Sequence, residues 1–171
     1  MKCPSCGFEN IQGTDRCEAC MKPLFDLDVP QPGEGLQGHI MLDSVKELTV
    51  FSPATVSPND TAAKAIEVMR ERRSGCVLVM EAGLVGILSE VDLLFRMPVD
   101  ADPTRINVSH LMTANPETVD EDATMAAALH LMSIGGYRHL PVIAHDHSVG
   151  ILSIKDLLHY LNRHLEAQAS R

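Results

Sequence analysis

The stretch Val85-Gly86-Ile87-Leu88-Ser89-Glu90-Val91-Asp92-Leu93-Leu94 decides the fold, because it occurs again at 149–158 as Val-Gly-Ile-Leu-Ser-Ile-Lys-Asp-Leu-Leu. Eight of the ten positions are identical, and the two copies lie 64 residues apart. Each copy predicts an apolar strand that ends at a serine and is followed by an amphipathic helix. A duplication of this kind identifies the unit from which the whole chain is built.

The duplication extends well beyond this stretch. Residues in 45–79 recur in 108–142 at an offset of 63, and each copy predicts a short helix, a short Thr-Val strand, a helix, a strand, a turn, a strand and a helix. Asn59 or Asp60 is the predicted N-cap of the first long helix. The central strands, predicted at 76–80, 84–88, 139–143 and 149–152, are apolar throughout, as in strands that helices cover.

Composition limits the classes of function. Of the 171 residues, 45% are hydrophobic but only 4% are aromatic, so the core is expected to be aliphatic and rich in methionine. The net charge of −9 repels phosphate backbones, which makes a nucleic-acid partner unexpected. No apolar run approaches the roughly 18 residues that span a bilayer, and the N-terminus has no apolar signal segment. We therefore predict a cytoplasmic protein with no membrane partner.

Residues 1–24 predict a small zinc ribbon. Two Cys-x-x-Cys pairs provide the four thiolates of a tetrahedral zinc site, and metal binding would supply the folding free energy of so small a segment. The sequence leaves iron, a redox pair and unpaired thiols as alternatives. Basic and acidic residues balance in this segment, so we expect it to dock a protein rather than nucleic acid. The predicted ligands are Cys3, Cys6, Cys17 and Cys20.

Residues 25–41 have the Pro- and Gly-rich composition of a linker, with no helix or strand period. The first repeat is predicted at 42–103 and the second at 104–171.

Two units of about 60 residues, each ending in Gly-Ile-Leu-Ser-x-x-Asp, with Arg138-His139-Leu140-Pro141-Val142 in the second, resemble a tandem pair of CBS domains, the Bateman module. The resemblance covers about three quarters of the chain. It implies an α/β (α+β) fold, in which two small helix-covered sheets pack with pseudo-two-fold symmetry. It also implies two clefts between the repeats, adenosine nucleotides as ligands, and a homodimer formed through the module.

The Ser-x-x-Asp motifs have two interpretations that do not exclude each other. In the first, each serine and aspartate only cap the following helix. In the second, the helix N-terminus and the aspartate also bind a ligand with hydroxyl groups or phosphates. The residues concerned are Ser89, Asp92, Ser153 and Asp156.

The resemblance further implies that Asp92 holds a ribose while Arg138, His139 and Lys155 reach the phosphates. The matching positions for the Asp156 cleft, which are Gly75, Cys76 and Val91, are not basic, and Arg72 and Arg73 lie out of register. We therefore expect the Asp92 cleft to be the better phosphate site. Thr113 is expected to contact the base in the Asp156 cleft. Tyr137 is expected either to stack on an adenine or to cap the core, and without the resemblance Arg138 and His139 would be a solvated pair.

The sequence thus predicts a regulatory, non-enzymatic module that binds AMP, ADP or ATP and docks an unidentified protein partner through its ribbon. S-adenosylmethionine and NAD remain open as ligands. One alternative is an interaction protein whose clefts bind no ligand. Another is a regulator that binds nucleic acid through the ribbon.

Overall fold

The computed structural model describes residues 6–11, 16–21 and 36–169. Within these ranges each repeat has the predicted order of elements, and the predicted short helix that opens each repeat is a 3-10 helix, at Val45–Glu47 and at Val108–His110. The helices and strands are α1 (Leu36–Leu42), β1 (Thr55–Val56), α2 (Ala62–Arg72), β2 (Cys76–Met80), β3 (Leu84–Ser89), α3 (Glu90–Arg96), β4 (Thr113–Ala114), β5 (Val119–Asp120), α4 (Met125–Gly135), β6 (His139–Ile143), β7 (Val149–Ser153) and α5 (Ile154–Ala169).

The strands form two small sheets, with the orders β1-β2-β3-β4 and β5-β6-β7. In each sheet a parallel pair is followed by an antiparallel hairpin, β2–β3 in the first and β6–β7 in the second. Because helices cover the hairpins, the central strands carry apolar side chains at successive positions. The predicted fold class, α/β with two small helix-covered sheets, is confirmed.

Short segments are exchanged between the two halves of the chain. Strand β4 precedes the second hairpin in sequence but pairs with β3 of the first, where Thr113 lies opposite Ile87. In return, Val50 forms a bridge with Ile151 of β7. The same exchange occurs in the interior, because Val45 is buried in the second core and Val108 in the first. Each core is therefore completed by residues from the other half of the chain.

Helix α1 corrects the prediction that the linker contains no helix. It begins at Leu36, inside the predicted 25–41 linker, while residues 25–35 lie outside the described ranges. A seven-residue helix is too short to be stable on its own, and tertiary contacts supply its stability. Ile40 packs against the second core, and Asp43, one residue after the helix, accepts a hydrogen bond from the Tyr160 hydroxyl at 2.5 Å.

Helix α2 is capped one residue later than the sequence predicted. The N-cap is Thr61, whose hydroxyl accepts from the Lys64 backbone N–H at 3.3 Å, while Asp60 instead accepts from the Ser57 N–H at 2.7 Å. At its other end the helix stops at Arg73, which adopts the left-handed conformation with φ of 51°. This turn of the backbone redirects the chain toward β2 and places Arg72 and Arg73 at the edge of a cleft.

Candidate functional site

Both Ser-x-x-Asp motifs form the same capping box. In the first, the Ser89 hydroxyl accepts from the Asp92 N–H at 3.2 Å, and Oδ2 of Asp92 accepts from the Ser89 N–H at 2.9 Å. In the second, the corresponding distances for Ser153 and Asp156 are 3.2 and 3.1 Å. Both motifs therefore cap their helices, a role that the two interpretations share. It uses only one oxygen of each aspartate, so the surroundings of the other oxygen decide what else the motif can do.

The first motif opens into a cleft of about 320 Å³, which we call the Asp92 cleft. Among the described residues that line it, Arg138 is the one lysine or arginine, and Asp92 and Glu117 are the carboxylates. Its volume lies at the lower end of the range of small-molecule sites. The lining residues are Ile87, Ser89, Val91, Asp92, Thr113, Asn115, Pro116, Glu117, Gly136, Tyr137, Arg138, His139 and Pro141.

The remaining oxygen of Asp92 is engaged by the chain itself. Oδ1 lies 3.2 Å from the Arg96 guanidinium and 3.5 Å from the Thr113 hydroxyl. Arg96, one helical turn after Asp92, also donates to the carbonyls of Leu111 and Met112 at 2.9 and 2.8 Å. This arginine therefore ties the motif of the first repeat to the segment that leads into β4.

The second motif opens into a larger cleft of about 730 Å³, which we call the Asp156 cleft. Four arginine and lysine residues line it, Arg72, Arg73, Arg138 and Lys155, against two carboxylates. An excess of positive charge in a concave site attracts anions and suits a phosphate group. The other lining residues are Val50, Ser52, Pro53, Ala54, Ser74, Gly75, Glu90, His139, Ile151, Ser153, Ile154, Asp156 and His159.

Asp156 lacks the partner that holds Asp92. The residue one turn after Asp156 is Tyr160 rather than an arginine, and Tyr160 is 1% exposed, with its hydroxyl bonded to Asp43. Among the described residues, Asp156 forms no ion pair, and its hydrogen bonds are those of the capping box through Oδ2. Its Oδ1 is therefore available to accept hydrogen bonds from a ligand.

Arg138 and His139 lie between the clefts and line both. The Arg138 guanidinium is 3.4 Å from Glu90, a contact between two exposed side chains. Burial lowers the pKa of His139, and the Arg138 charge lowers it further, whereas Glu90 and Asp156 oppose this change. In the free protein His139 is consequently a neutral imidazole near pH 7.

Thr113 and Lys155 each lie in the other cleft from the one that the sequence predicted. Thr113 contacts Asp92 and not Asp156, because its strand pairs with β3 of the first repeat. Lys155 lines the Asp156 cleft beside its neighbour in sequence and is absent from the Asp92 cleft. Tyr137 lines the Asp92 cleft and is 41% exposed, and Arg138 and His139 reach that cleft as predicted.

Sequence reasoning set aside Arg72 and Arg73, yet both line the Asp156 cleft. They appeared out of register because the positions of the first repeat that are equivalent to Arg138 and His139 are Gly75 and Cys76. Arg73 is the left-handed C-cap of α2. An arginine in such a conformation carries no clear signal in the sequence, because glycine is the usual residue there.

A cluster of thiols lies in the N-terminal segment. The sulfur atoms of Cys6, Cys17 and Cys20 lie within 4.8 Å of one another, and those of Cys6 and Cys17 are 3.5 Å apart. Four thiolates at about 2.3 Å from a zinc ion are about 3.8 Å apart, so the three sulfurs fit such an ion. The predicted fourth ligand, Cys3, lies outside the described residues.

The environment of Cys17 favours the thiolate that a metal requires. Burial raises the pKa of Cys17, but the backbone N–H groups of Cys20 and Ala19 and the side chains of Cys6 and Asn10 outweigh it and lower the pKa to about 6.

The described helices include none with the length and apolar character that crossing a bilayer requires.

Comparison with known families gives a match over most of the chain. The profile of the CBS domain matches residues 45–98 and again residues 108–163. These two ranges contain both capping boxes and both hairpins.

Curated relatives match the same region. The CBS domain-containing protein YhcV of Bacillus subtilis is 31% identical over 122 residues, which are 68% of this chain and 84% of that protein. The CBS domain-containing protein CBSCBSPB1 of Arabidopsis thaliana is 35% identical over 106 residues, which are 61% of this chain. Those residues span only 19% of that much longer relative.

Solved structures share the fold. The crystal structure of the CBS domain NE2398 superposes with a TM-score of 0.63 at 30% identity and covers 68% of this chain and 94% of its own. The structure of CBSX2 in complex with AMP superposes with a TM-score of 0.60 at 23% identity, covering 70% of this chain and 97% of its own. At that identity the second likeness shows the fold alone.

Proposed function

The chain belongs to the CBS-domain family, and from this premise we propose that it is a regulatory module that binds an adenosine nucleotide between its two repeats. A structural relative, CBSX2, has been crystallised with AMP. The clefts offer helix N-termini, aspartates and cationic side chains, which are the groups that ribose hydroxyls and phosphates require. We expect ligand binding rather than catalysis.

One observation carries the proposal: the Asp156 cleft combines an uncommitted carboxylate oxygen with four cationic side chains. In our proposal Asp156 accepts hydrogen bonds from the ribose hydroxyls. Arg72, Arg73 and Lys155 contact the phosphates, and Arg138 neutralises the remaining charge. This assigns the phosphates to the cleft opposite to the one that sequence reasoning favoured. The reversal follows from where the arginines and Lys155 lie.

The Asp92 cleft has a different role in this proposal. Asp92 and Glu117 outnumber Arg138 there, and Arg96 already occupies the free oxygen of Asp92. Because Arg96 balances Asp92 and Glu117 offsets Arg138, no excess of positive charge attracts a phosphate there. We therefore assign to this cleft either no ligand or an uncharged one.

Calorimetric titration with AMP, ADP and ATP tests the proposal. We expect one high-affinity nucleotide per chain, and we expect the double variant Arg73→Gln, Lys155→Gln to weaken binding at least tenfold. The double variant Asn115→Ala, Glu117→Gln in the Asp92 cleft is the matched control and should bind as the wild type does. S-adenosylmethionine and NAD belong in the same panel. If no adenine ligand binds or raises the melting temperature at millimolar concentration, the chain is an interaction module without ligand binding.

For the N-terminal segment we propose a structural zinc ion held by Cys3, Cys6, Cys17 and Cys20, with the folded ribbon docking a protein partner. The close approach of three sulfur atoms supports this proposal. Elemental analysis should find that the zinc content falls by one ion per chain in the Cys17→Ser, Cys20→Ser variant. Iron as the metal lost in the variant, or a zinc content equal to that of the wild type, would overturn it.

We also propose a homodimer formed through the module. Helix α3 and the residues after it expose large apolar side chains, with Leu94, Phe95 and Val99 at 75, 79 and 101% exposure. A second copy of the same chain would bury this surface. Light scattering should report twice the chain mass for the wild type and the single chain mass for Phe95→Glu. A wild type that is monomeric at micromolar concentration would contradict the proposal.

A further inference from the structure

Three side chains of types that can bind a metal meet where α1 lies against α5, apart from the thiol cluster. His39 and Asp43 are four residues apart, so they lie on the same side of the helical segment that begins with α1. His164 belongs to α5. The potential ligand atoms of the three side chains all lie within 4.8 Å of one another.

Neighbouring groups hold these side chains in place. Nδ1 of His39 is 3.2 Å from Oδ2 of Asp43, and the hydroxyl of Tyr160 donates to the same oxygen at 2.5 Å. The His164 ring packs between the rings of His39 and Tyr160, with centroid distances of 4.2 and 4.5 Å. Tyr160 is buried, so it provides a fixed point from which Asp43 is oriented.

This arrangement has the features of a metal site rather than of an ordinary surface pair. Ligand atoms around a tetrahedral ion with nitrogen and oxygen ligands are about 3.4 Å apart. The His39–Asp43 spacing already meets that distance. The other pairs of ligand atoms lie within 4.8 Å, and the site requires them to shorten to about the same distance. A hydrogen bond from a buried group to a ligating carboxylate is the outer-shell interaction that metal sites use to orient their ligands.

We propose that His39, Asp43 and His164 bind a divalent first-row transition-metal ion, with Tyr160 orienting Asp43. Two imidazoles and one carboxylate suit zinc and its neighbours rather than calcium or magnesium, which prefer oxygen ligands. The ion fastens α1 to α5. It thereby anchors the chain just after the segment that leads from the ribbon.

A second group of possible ligands provides an internal comparison. Asp120, Asp122 and His145 also lie within 4.8 Å of one another, but all three are exposed. His145 contacts both aspartates and the buried Glu121, which is already paired with Lys46. In the α1–α5 site, by contrast, Asp43 and His164 are half-buried. Exposed acidic clusters of this kind are common without a metal. We therefore assign the ion to the α1–α5 site.

Calorimetric titration of the tag-free full chain with Zn²⁺ tests the proposal. The Cys17→Ser, Cys20→Ser variant removes the thiolate site from the measurement. In that background we expect one equivalent of zinc to bind, and we expect His39→Gln or His164→Gln to abolish it. His39 is half exposed, so its replacement leaves the fold intact, which circular dichroism verifies. Tyr160→Phe keeps the ring and should weaken zinc binding about tenfold.

His145→Gln is the matched control, and it should bind zinc as its parent does. Absence of any zinc binding in the cysteine-substituted chain overturns the proposal. Unchanged binding in His39→Gln also overturns it. If His145→Gln removes the zinc while His39→Gln does not, the ion lies at the exposed cluster, and the α1–α5 assignment is wrong.

Discussion

The Asp92 and Asp156 clefts begin from the same capping box and differ in the residue that follows one helical turn later. In the first repeat that residue is Arg96, which binds the free oxygen of Asp92 and two backbone carbonyls. In the second repeat it is Tyr160, which turns inward to Asp43 and leaves Asp156 open to the cleft. An identical motif therefore fixes the local backbone, while its neighbours decide whether the carboxylate serves the fold or a ligand.

The largest effect should come from placing a glutamate at equivalent positions of the two repeats. Lys155→Glu puts a carboxylate in the proposed phosphate site, so nucleotide affinity should fall about 100-fold, through loss of a charge-assisted contact worth about 1.5–3 kcal/mol and through added repulsion. Val91→Glu makes the matching change in the Asp92 cleft and should leave affinity within about twofold. Calorimetric titration with AMP checks both. A larger loss in Val91→Glu would reverse the assignment of the clefts.

Replacing each aspartate by asparagine distinguishes the roles of the Asp92 and Asp156 carboxylates with a smaller chemical change. Asparagine retains an oxygen for the capping box but accepts more weakly from ribose hydroxyls, because its hydrogen bonds are not charge-assisted. Asp156→Asn should therefore weaken AMP binding about tenfold, and Asp92→Asn should change it little. Binding of 2′-deoxy-AMP provides an independent readout, because the wild type should lose affinity for it while Asp156→Asn should not discriminate. Equal losses in the two variants would argue that both clefts hold ribose.

Arg96 should contribute to the stability of the fold and not to the affinity for the nucleotide. Arg96→Gln removes the hydrogen bonds to Leu111 and Met112 and the ion pair to Asp92, at a cost of about 1 kcal/mol for groups that are partly exposed. Urea unfolding should show the lower stability, with AMP affinity of the Asp156 cleft unchanged. The substitution Tyr160→Phe is the counterpart in the second repeat. A change in AMP affinity in Arg96→Gln would show that the two clefts are coupled.

The smallest expected effect is the pH dependence of AMP affinity that arises from His139, which lines both clefts. Burial and Arg138 lower the pKa of His139, so the free protein holds it neutral near pH 7, while a bound phosphate favours the imidazolium. Binding should therefore take up a proton, and AMP affinity relative to that of His139→Gln should rise about threefold from pH 7.5 to 6.0. Glu90 and Asp156 also face this ring and favour its charged form. The comparison with His139→Gln cancels the titration of the phosphate itself. A pH dependence identical in the two proteins would exclude His139 from the phosphate site.

Sequence reasoning predicted the elements better than the clefts, for a physical reason. Strand and helix periods, and the duplicated Gly-Ile-Leu-Ser segment, are local signals, so the predicted hairpins 76–88 and 139–152 are confirmed. Lys155 was assigned to the wrong cleft by the family resemblance, whereas its side chain lines the cleft of its sequence neighbour Asp156. Thr113 was assigned to the wrong cleft because its position depends on which strands pair across the two halves. That pairing is a long-range property.

Helix α1 and the arginines of the Asp156 cleft escaped prediction for related reasons. Residues 36–42 show no helical period of their own, and contacts with the second core make them helical. Arg72 and Arg73 reach the cleft through a left-handed turn that composition does not reveal. The His39, Asp43 and His164 group likewise required the crossing of two helices that are distant in sequence.

The exchange of short segments between the halves has a consequence for how the chain folds. Val45 completes the second core and Val108 completes the first, and both are fully buried. Neither half is thus a self-sufficient folding unit, and the module should lose its structure in one cooperative transition. Two fragments cut in the exposed connection at 98–103 should each be unstructured alone and should recover the native fold when mixed.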